Sequence, residues 1–383
     1  MPPDFITTSA PVLLPLCTER TADAARPTAI STIKSITSAL RINCFMKKLF
    51  LSILISLTII TQTACGVLGS KAAEPVSREE YLLDTICSVS VYKTEGTEAE
   101  AAIEKAFELC MALEDTLSRT RKDSDVGRIN AANGDWVEVS DETIEIIKKG
   151  LEYSDLSEGA FDITVGGITE QWDFHAAEGK EKLPDEKMLT EAAAHVDYKN
   201  VEIDGNMVRL KDPKAEIDLG GIAKGYIGDK MSECLEEAGV TSGIINLGGN
   251  VICMGGKTDK EDFVIGVEAP FSDRTEIIGK VKSRDKTLVT SGIYERKIEV
   301  DGKIYHHILN SKTGWPVETD LDAVTLVAEK GRSADIDALS TICLIKGAEE
   351  GLKTIENEEG IEGLFVLKDG SIKKSSGMEY EGN

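Results

Sequence analysis

Nine residues, Asp218-Leu219-Gly220-Gly221-Ile222-Ala223-Lys224-Gly225-Tyr226, place an acid, a glycine turn, a lysine and a further glycine directly after the strand-like Ala215-Glu216-Ile217. Glycine lets backbone approach an anion closely. A carboxylate and an ammonium a few residues apart suit Mg²⁺ and phosphate oxygens respectively. Glycine-rich strand-to-helix turns also arise for local geometry alone, so the reading depends on partner residues elsewhere in the chain.

Several segments offer such partners. In Ala334-Asp335-Ile336-Asp337-Ala338-Leu339-Ser340-Thr341, Asp337 and Thr341 stand four apart and project from one helix face. A carboxylate and a hydroxyl make a hard, oxygen-only half-site of the kind Mg²⁺ accepts while water and phosphate complete its octahedron. The structural alternative is that Asp335 serves the helix N-terminus and Thr341 bonds back to its own helix. Of the two adjacent histidines, His306 and His307, strand alternation sends at most one into a given pocket, where His307 would serve as a general base. The alternative is a pair of half-exposed strand histidines. Thr290-Ser291-Gly292 offers hydroxyls and backbone, Gly159-Ala160-Phe161-Asp162 a small-residue floor with Trp172 soon after, and Ser118-Arg119, Ser124-Asp125 and Asn130 a polar set or a capped helix end.

These residues need a frame. Thr85 to Tyr92 alternates like a strand, and Ala102, Ala106, Leu109, Cys110, Leu113 and Leu117 recur at helical spacing. Ser140 is an N-cap candidate for a second helix with Ile144, Ile147 and Leu151 on one face, and Lys224 to Ala238 forms a third, closed by Gly239. Asp204-Gly205, Asp301-Gly302 and Asp369-Gly370 mark hairpins. Together they predict an α+β body of mainly antiparallel sheets with packed helices, without internal repeats.

Composition narrows the class. With 383 residues and 41 % apolar content the chain can bury a full core. Lys47, Lys48, the apolar run Leu49 to Ile60 and Thr61-Gln62-Thr63-Ala64-Cys65 read as an export signal, and the run is too short for a comfortable membrane span. Ala64-Cys65 resembles the lipobox at which bacterial lipoproteins are cleaved and diacylated, although Gln62 stands where an aliphatic residue is usual. The alternative is ordinary cleavage nearby, with Cys65 an incidental thiol. Met46 then looks like the natural start, which divides the chain into an upstream extension (1–45), a signal peptide (46–64), a lipidated cysteine with tether (65–80) and one catalytic body (81–378). Without residues 1–64 the formal charge moves from −24 to −27, a poor partner for nucleic acid or anionic lipid headgroups, so membrane attachment falls to the lipid on Cys65. Cys87, Cys110, Cys234, Cys253 and Cys343 lack metal spacing and read as small core hydrophobes.

The ordered series Ser118-Arg119, Ser124-Asp125, Asn130, Gly159 to Asp162 with Thr164, Trp172, Asp218 to Tyr226, Asn246-Leu247-Gly248-Gly249-Asn250, Thr290 to Tyr294, His307-Ile308 with Thr313-Gly314 and Pro316, and Ala334 to Thr341 resembles the ApbE family of flavin transferases from about Tyr81 onward. The resemblance implies a single T-fold-like α+β body and an Mg²⁺-dependent FAD:protein FMN transferase anchored outside the cytoplasmic membrane. Such an enzyme cleaves FAD, releases AMP and joins FMN to a threonine in a Ser/Thr-Gly-Ala-Thr-type motif of a redox-complex subunit. By motif position it implies metal ligation by Asp337, Thr341 and the Gly221 carbonyl. It implies FAD contacts from Asn130, Tyr153, Ala160, Phe161, Asp162, Asp218, Lys224, Ser291, Gly292, His307 and Ile308, with His307 and Asp337 catalytic. Asn310-Ser311 departs from the family's usual Asp-Pro, and a structural role for that turn is expected. An FAD pyrophosphatase, in which water replaces threonine, and a non-catalytic flavin-binding lipoprotein are the alternatives.

Overall fold

The computed structural model describes residues 6–7, 74–174, 181–272 and 276–383. The signal peptide, Cys65 and nearly all of the upstream extension lie outside them. Eight strands form the central sheet: β1 (Val76–Leu82), β2 (Thr85–Val91), β3 (Gly243–Leu247), β4 (Asn250–Met254), β5 (Lys286–Gly292), β6 (Leu321–Glu329), β7 (Ile361–Leu367) and β8 (Ile372–Lys374). They lie in chain order across the sheet and every neighbouring pair is antiparallel. Each strand is thus laid beside its predecessor, and the described helices are all inserted between successive strands.

Seven α-helices occur among the described residues: α1 (Gly96–Leu117), α2 (Asp125–Ala131), α3 (Asp141–Leu156), α4 (Gly166–Thr169), α5 (Glu186–Ala193), α6 (Ala223–Glu237) and α7 (Ser333–Glu356). The expected helix face of α1 is buried, from Ala99 and Ala102 through Cys110 to Leu117. Ser140 caps α3 by accepting from the Thr143 amide, and Gly239 closes α6 with a positive φ of 85°. α1, α6 and α7 cover one face of the sheet, with α6 packed between the other two. Period-two alternation divides the strands, so that Ile245, Ile252, Val289 and Leu326 meet the helices while Ile244, Val251, Leu288 and Val327 face away. That second face packs on the antiparallel pair Phe263–Glu268 and Ile277–Ser283, to which Ile6–Thr7 adds a parallel strand. The five cysteines of the described body are all buried and free, as small core residues should be.

A smaller lobe gathers Ile168, Trp172, Leu189 and Ile298 with Phe174, Tyr305 and Trp315 around the hairpin Lys297–Val300 and Lys303–His306. Trp172 is its centre, donating through its indole to the Gly314 carbonyl at 2.9 Å.

Two expected boundaries move. Val76 to Glu80, assigned to the tether, belong to β1, an edge strand whose charged alternation (Arg78, Glu80) hides it among linker-like residues. At the other end the fold passes 378: Glu381–Gly382 pairs with Ile277–Ser283, and the Tyr380 hydroxyl donates to the Ile278 carbonyl at 2.6 Å.

Candidate active site

The approach to the glycine turn is fixed from both sides. Asn130 on α2 acts as a peptide mimic, its Nδ2 donating to the Ile217 carbonyl at 3.0 Å while its Oδ1 accepts from the Ile217 amide at 2.7 Å. The next amide, of Asp218, donates to the Ile163 carbonyl at 2.8 Å. Oδ1 of Asp218 then accepts from the Gly220 amide at 2.8 Å, and Oδ2 pairs with Arg119 at 3.2 Å. Gly221 comes next, hard against the Phe161 ring: a Cβ there would lie 2.8 Å from it. The missing side chain permits that contact.

α6 starts at Ala223, which puts Lys224 in its first turn. Lys224 is half-buried, and among the described residues its ammonium has no carboxylate partner. In a chain of net charge −24 a half-buried lysine without a carboxylate partner leaves a positive charge to offer an anion.

Asp337 lies on α7 and is 4 % exposed. Its Oδ2 accepts from the Gly225 amide at 2.9 Å. Burial raises its pKa to about 6 against the opposing pull of Lys224, and Glu295 pushes it in the same direction as burial. One turn on, the half-buried Thr341 hydroxyl makes no bond to the Asp337 carbonyl or to any other described residue, so the back-bonded alternative does not hold. Asp335, by contrast, is engaged by Lys149 and Arg332. Between them Ser340 donates to the Asp337 carbonyl at 2.8 Å. Its single proton is thereby used, so in the 2.7 Å contact with Ser291 the donor is Ser291. Gly292 donates its amide to Glu295 at 3.0 Å.

His306 and His307 part as strand alternation requires. His306 is buried, whereas His307 is half-buried with its edge against Phe174. Nδ1 of His307 lies 3.1 Å from the Arg296 carbonyl, which can only accept, so Nδ1 carries the proton and Nε2 keeps its lone pair. Burial, and after it the positive charge of Arg296, lowers the pKa and keeps the ring neutral; Lys224 acts in the same direction. Ile308 is buried beside it and accepts from the Val317 amide.

Gly221 with Phe161, Lys224, Asp337, Ser291 and Gly292 therefore form one neighbourhood, with the free Thr341 hydroxyl a turn away from Asp337. Other expected contacts are spent inside the protein. The Asp162 carboxylate takes the Thr164 amide and hydroxyl at 2.8 and 2.6 Å and the Tyr198 amide at 3.0 Å, so it shapes the floor of which half-buried Ala160 is the accessible part. Asn130 is committed to Ile217. Tyr153 is buried on α3 beside Asp335, at the α7 end of the core. Asn250, Ser340 and Glu295 were not singled out by sequence. Asn250 and Ser340 fall inside recognised motifs, which was the only signal available.

The donor set fits a hard divalent cation. Among the described residues no three His, Cys, Asp or Glu side chains cluster as a cage. One buried carboxylate, an unpartnered hydroxyl and a glycine turn suit an ion that takes the rest of its shell from water and phosphate. The fully buried Asn250 amide near Asp337, with neither atom in a hydrogen bond of normal geometry, is a further sign that the polar partners here are not all protein.

The chain is similar to several known proteins. An FAD:protein FMN transferase of Treponema pallidum is 32 % identical over 332 residues, covering 82 % of this chain and 90 % of that protein. One of Klebsiella pneumoniae is 34 % identical, covering 72 % and 85 %. The crystal structure of the ApbE protein of Thermotoga maritima superposes with a TM-score of 0.73 at 32 % identity, over 79 % of this chain and 97 % of that one. The ApbE family model matches residues 83–365, and the chain belongs to the ApbE family.

Proposed function

We propose that this chain is an FAD:protein FMN transferase working with Mg²⁺, held by Asp337, Thr341 and the Gly221 carbonyl. The observation that carries the reading is the meeting of an unpaired lysine, a buried carboxylate and the glycine turn at the junction of α6 and α7. The names of the relatives supply the reaction class.

FAD brings two phosphate charges into a strongly acidic protein. Lys224 offsets part of that charge, and the bound cation would supply Lewis-acid polarisation of the phosphoryl group. Asp218, braced by Arg119 and Gly220, Ser291, Gly292 and the Ala160-Phe161 floor line the nucleotide. Nε2 of His307 accepts the proton of an acceptor threonine as its oxygen bonds to the FMN phosphorus and the bond to AMP breaks. A lowered pKa makes this imidazole a weaker base than a free one, so its contribution is neutrality and aim together, about a hundredfold in rate. Positioning carries the remainder, as in other phosphoryl transfers.

The acceptor is proposed to be a redox-complex subunit with a Ser/Thr-Gly-Ala-Thr-type motif, met at the extracytoplasmic face of a bacterial membrane by a protein anchored through lipidated Cys65. Among the described residues no helix is long and apolar enough to cross a membrane. Retention in the membrane fraction that is lost in Cys65→Ser checks the anchor.

The activity test is incubation with FAD, Mg²⁺ and an acceptor bearing the motif, followed by acceptor mass and AMP. Mass gain with AMP release is expected. AMP without mass gain would identify a pyrophosphatase, and unchanged bound FAD a binding protein.

A further inference from the structure

β4 opens with Asn250, a side chain of 0 % exposure whose Oδ1 and Nδ2 are both outside any hydrogen bond of normal geometry. Burying an amide without full hydrogen bonding is costly, so its presence asks for a reason. The turn before it supplies none. Gly248 and Gly249 take positive φ without help from the Asn250 side chain, the Gly249 amide donates to Asn246, and the backbone of Asn250 pairs with Leu247 and Val289. An apolar residue would satisfy that register equally well and would match Leu247 and Val251 beside it.

What lies next to the amide is Asp337. α7 crosses over β4 and β5, which brings the Asn250 amide beside the Asp337 carboxylate. The carboxylate already takes the Gly225 amide on Oδ2, and Ser340 holds the Asp337 carbonyl. An amide can steady a carboxylate by donation from Nδ2 and still offer Oδ1 as an acceptor. Groups of this kind around a ligating carboxylate set its orientation and the affinity of the site.

We propose that Asn250 is a positioning residue for the cation site, its amide orienting the Asp337 carboxylate toward a divalent metal. The inference rests on the cation reading given above and goes one residue beyond it. It also accounts for the buried amide, whose hydrogen-bonding capacity is completed only when the site is loaded.

The test uses Mn²⁺ as a paramagnetic stand-in, titrated into the full protein without FAD and followed by electron paramagnetic resonance, beside thermal unfolding without metal. Asn250→Leu should bind Mn²⁺ about 10- to 100-fold more weakly while its metal-free unfolding temperature stays level or rises. Asn250→Ala, which fits whether or not leucine does, should weaken Mn²⁺ similarly. Unchanged Mn²⁺ affinity in both variants, with binding lost in Asp337→Ala, would overturn the role of Asn250 and leave the cation site standing. Unchanged binding in Asp337→Ala would instead remove the cation site itself. Parallel losses of metal-free stability and affinity in both variants would mark Asn250 as a packing residue and overturn the proposal.

Discussion

The amide of Gly225 donates to Oδ2 of Asp337 at 2.9 Å, tying the first turn of α6 to the first turns of α7. One turn along α6, Asp229 accepts from the Ser333 and Ala334 amides at 3.1 and 3.0 Å and so supplies the cap that Arg332, at the N-cap position, does not. α6 thus grips α7 at two points, and the candidate ligands Asp337 and Thr341 are positioned by that grip.

Gly225→Ala should break it. A Cβ at residue 225 would lie 2.3 Å from the Ser333 carbonyl oxygen and 2.7 Å from Cα of Ala334, backbone that cannot rotate away. The helices must separate, at a cost of about 1–3 kcal/mol, and the Gly225 bond to Asp337 lengthens. Urea unfolding should report the destabilisation, and Mn²⁺ titration a weaker site. Wild-type values in both would show that the contact is not rigid.

Asp229 gives the grip a pH dependence. Burial raises its pKa from 3.8 to about 6, only partly offset by the two amides it accepts from. A raised carboxyl binds its proton more tightly in the folded state than in the unfolded one, so stability falls as pH rises between the two values. Asp229→Asn carries a constant offset for its lost acceptor but no titration. The wild-type protein should therefore lose stability relative to the variant between about pH 4 and pH 6, by up to about 3 kcal/mol. Chemical denaturation at several pH values measures the difference, and a flat one would refute the assignment.

Much of this frame is legible locally. The helical face of α1, the Ser140 cap and the glycine closing α6 each depend on residues within a few positions of one another. So does the Asp301-Gly302 turn, where Val300 pairs with Lys303. At Asp204-Gly205 the turn lies one residue later, since Asp204 itself pairs with Met207. What resists reading is the choice each polar side chain makes between ligand and protein. Asn130 and Asp162 carry the same groups as the residues proposed to meet the nucleotide, yet their protein partners, Ile217 and Tyr198, lie 87 and 36 residues away. Only the folded chain shows that both are committed.

The Asn310-Ser311 turn can be tested on the same logic. Oδ1 of Asn310 accepts from the Lys312 and Thr313 amides at 2.9 and 3.1 Å, a task an aspartate oxygen performs equally well. The buried Ser311 hydroxyl donates to the Gly159 carbonyl at 2.7 Å, a bond proline cannot make. Asn310→Asp should leave stability and transfer near wild type. Ser311→Ala should lose about 1–2 kcal/mol and loosen the floor beside Phe161, raising the KM for FAD more than it lowers kcat. A large fall in kcat for Asn310→Asp would contradict the structural role.

His307 separates binding from chemistry. Its ring touches Phe174 and the Arg296 carbonyl, and neither contact is to the nucleotide half-site around Lys224 and Asp337. His307→Ala should therefore keep most FAD affinity, measured by flavin fluorescence, while transfer to the acceptor falls by about a hundredfold or more. The pH profile carries independent information. A histidine with its ordinary pKa would lose its base on acidification through about pH 6.5, whereas burial and the neighbouring cations hold this one below that value, so it is neutral there already. The acid limb of transfer should accordingly begin below pH 6.5, and a limb centred at 6.5 that vanishes in His307→Ala would show the ring to be as solvated as a free imidazole.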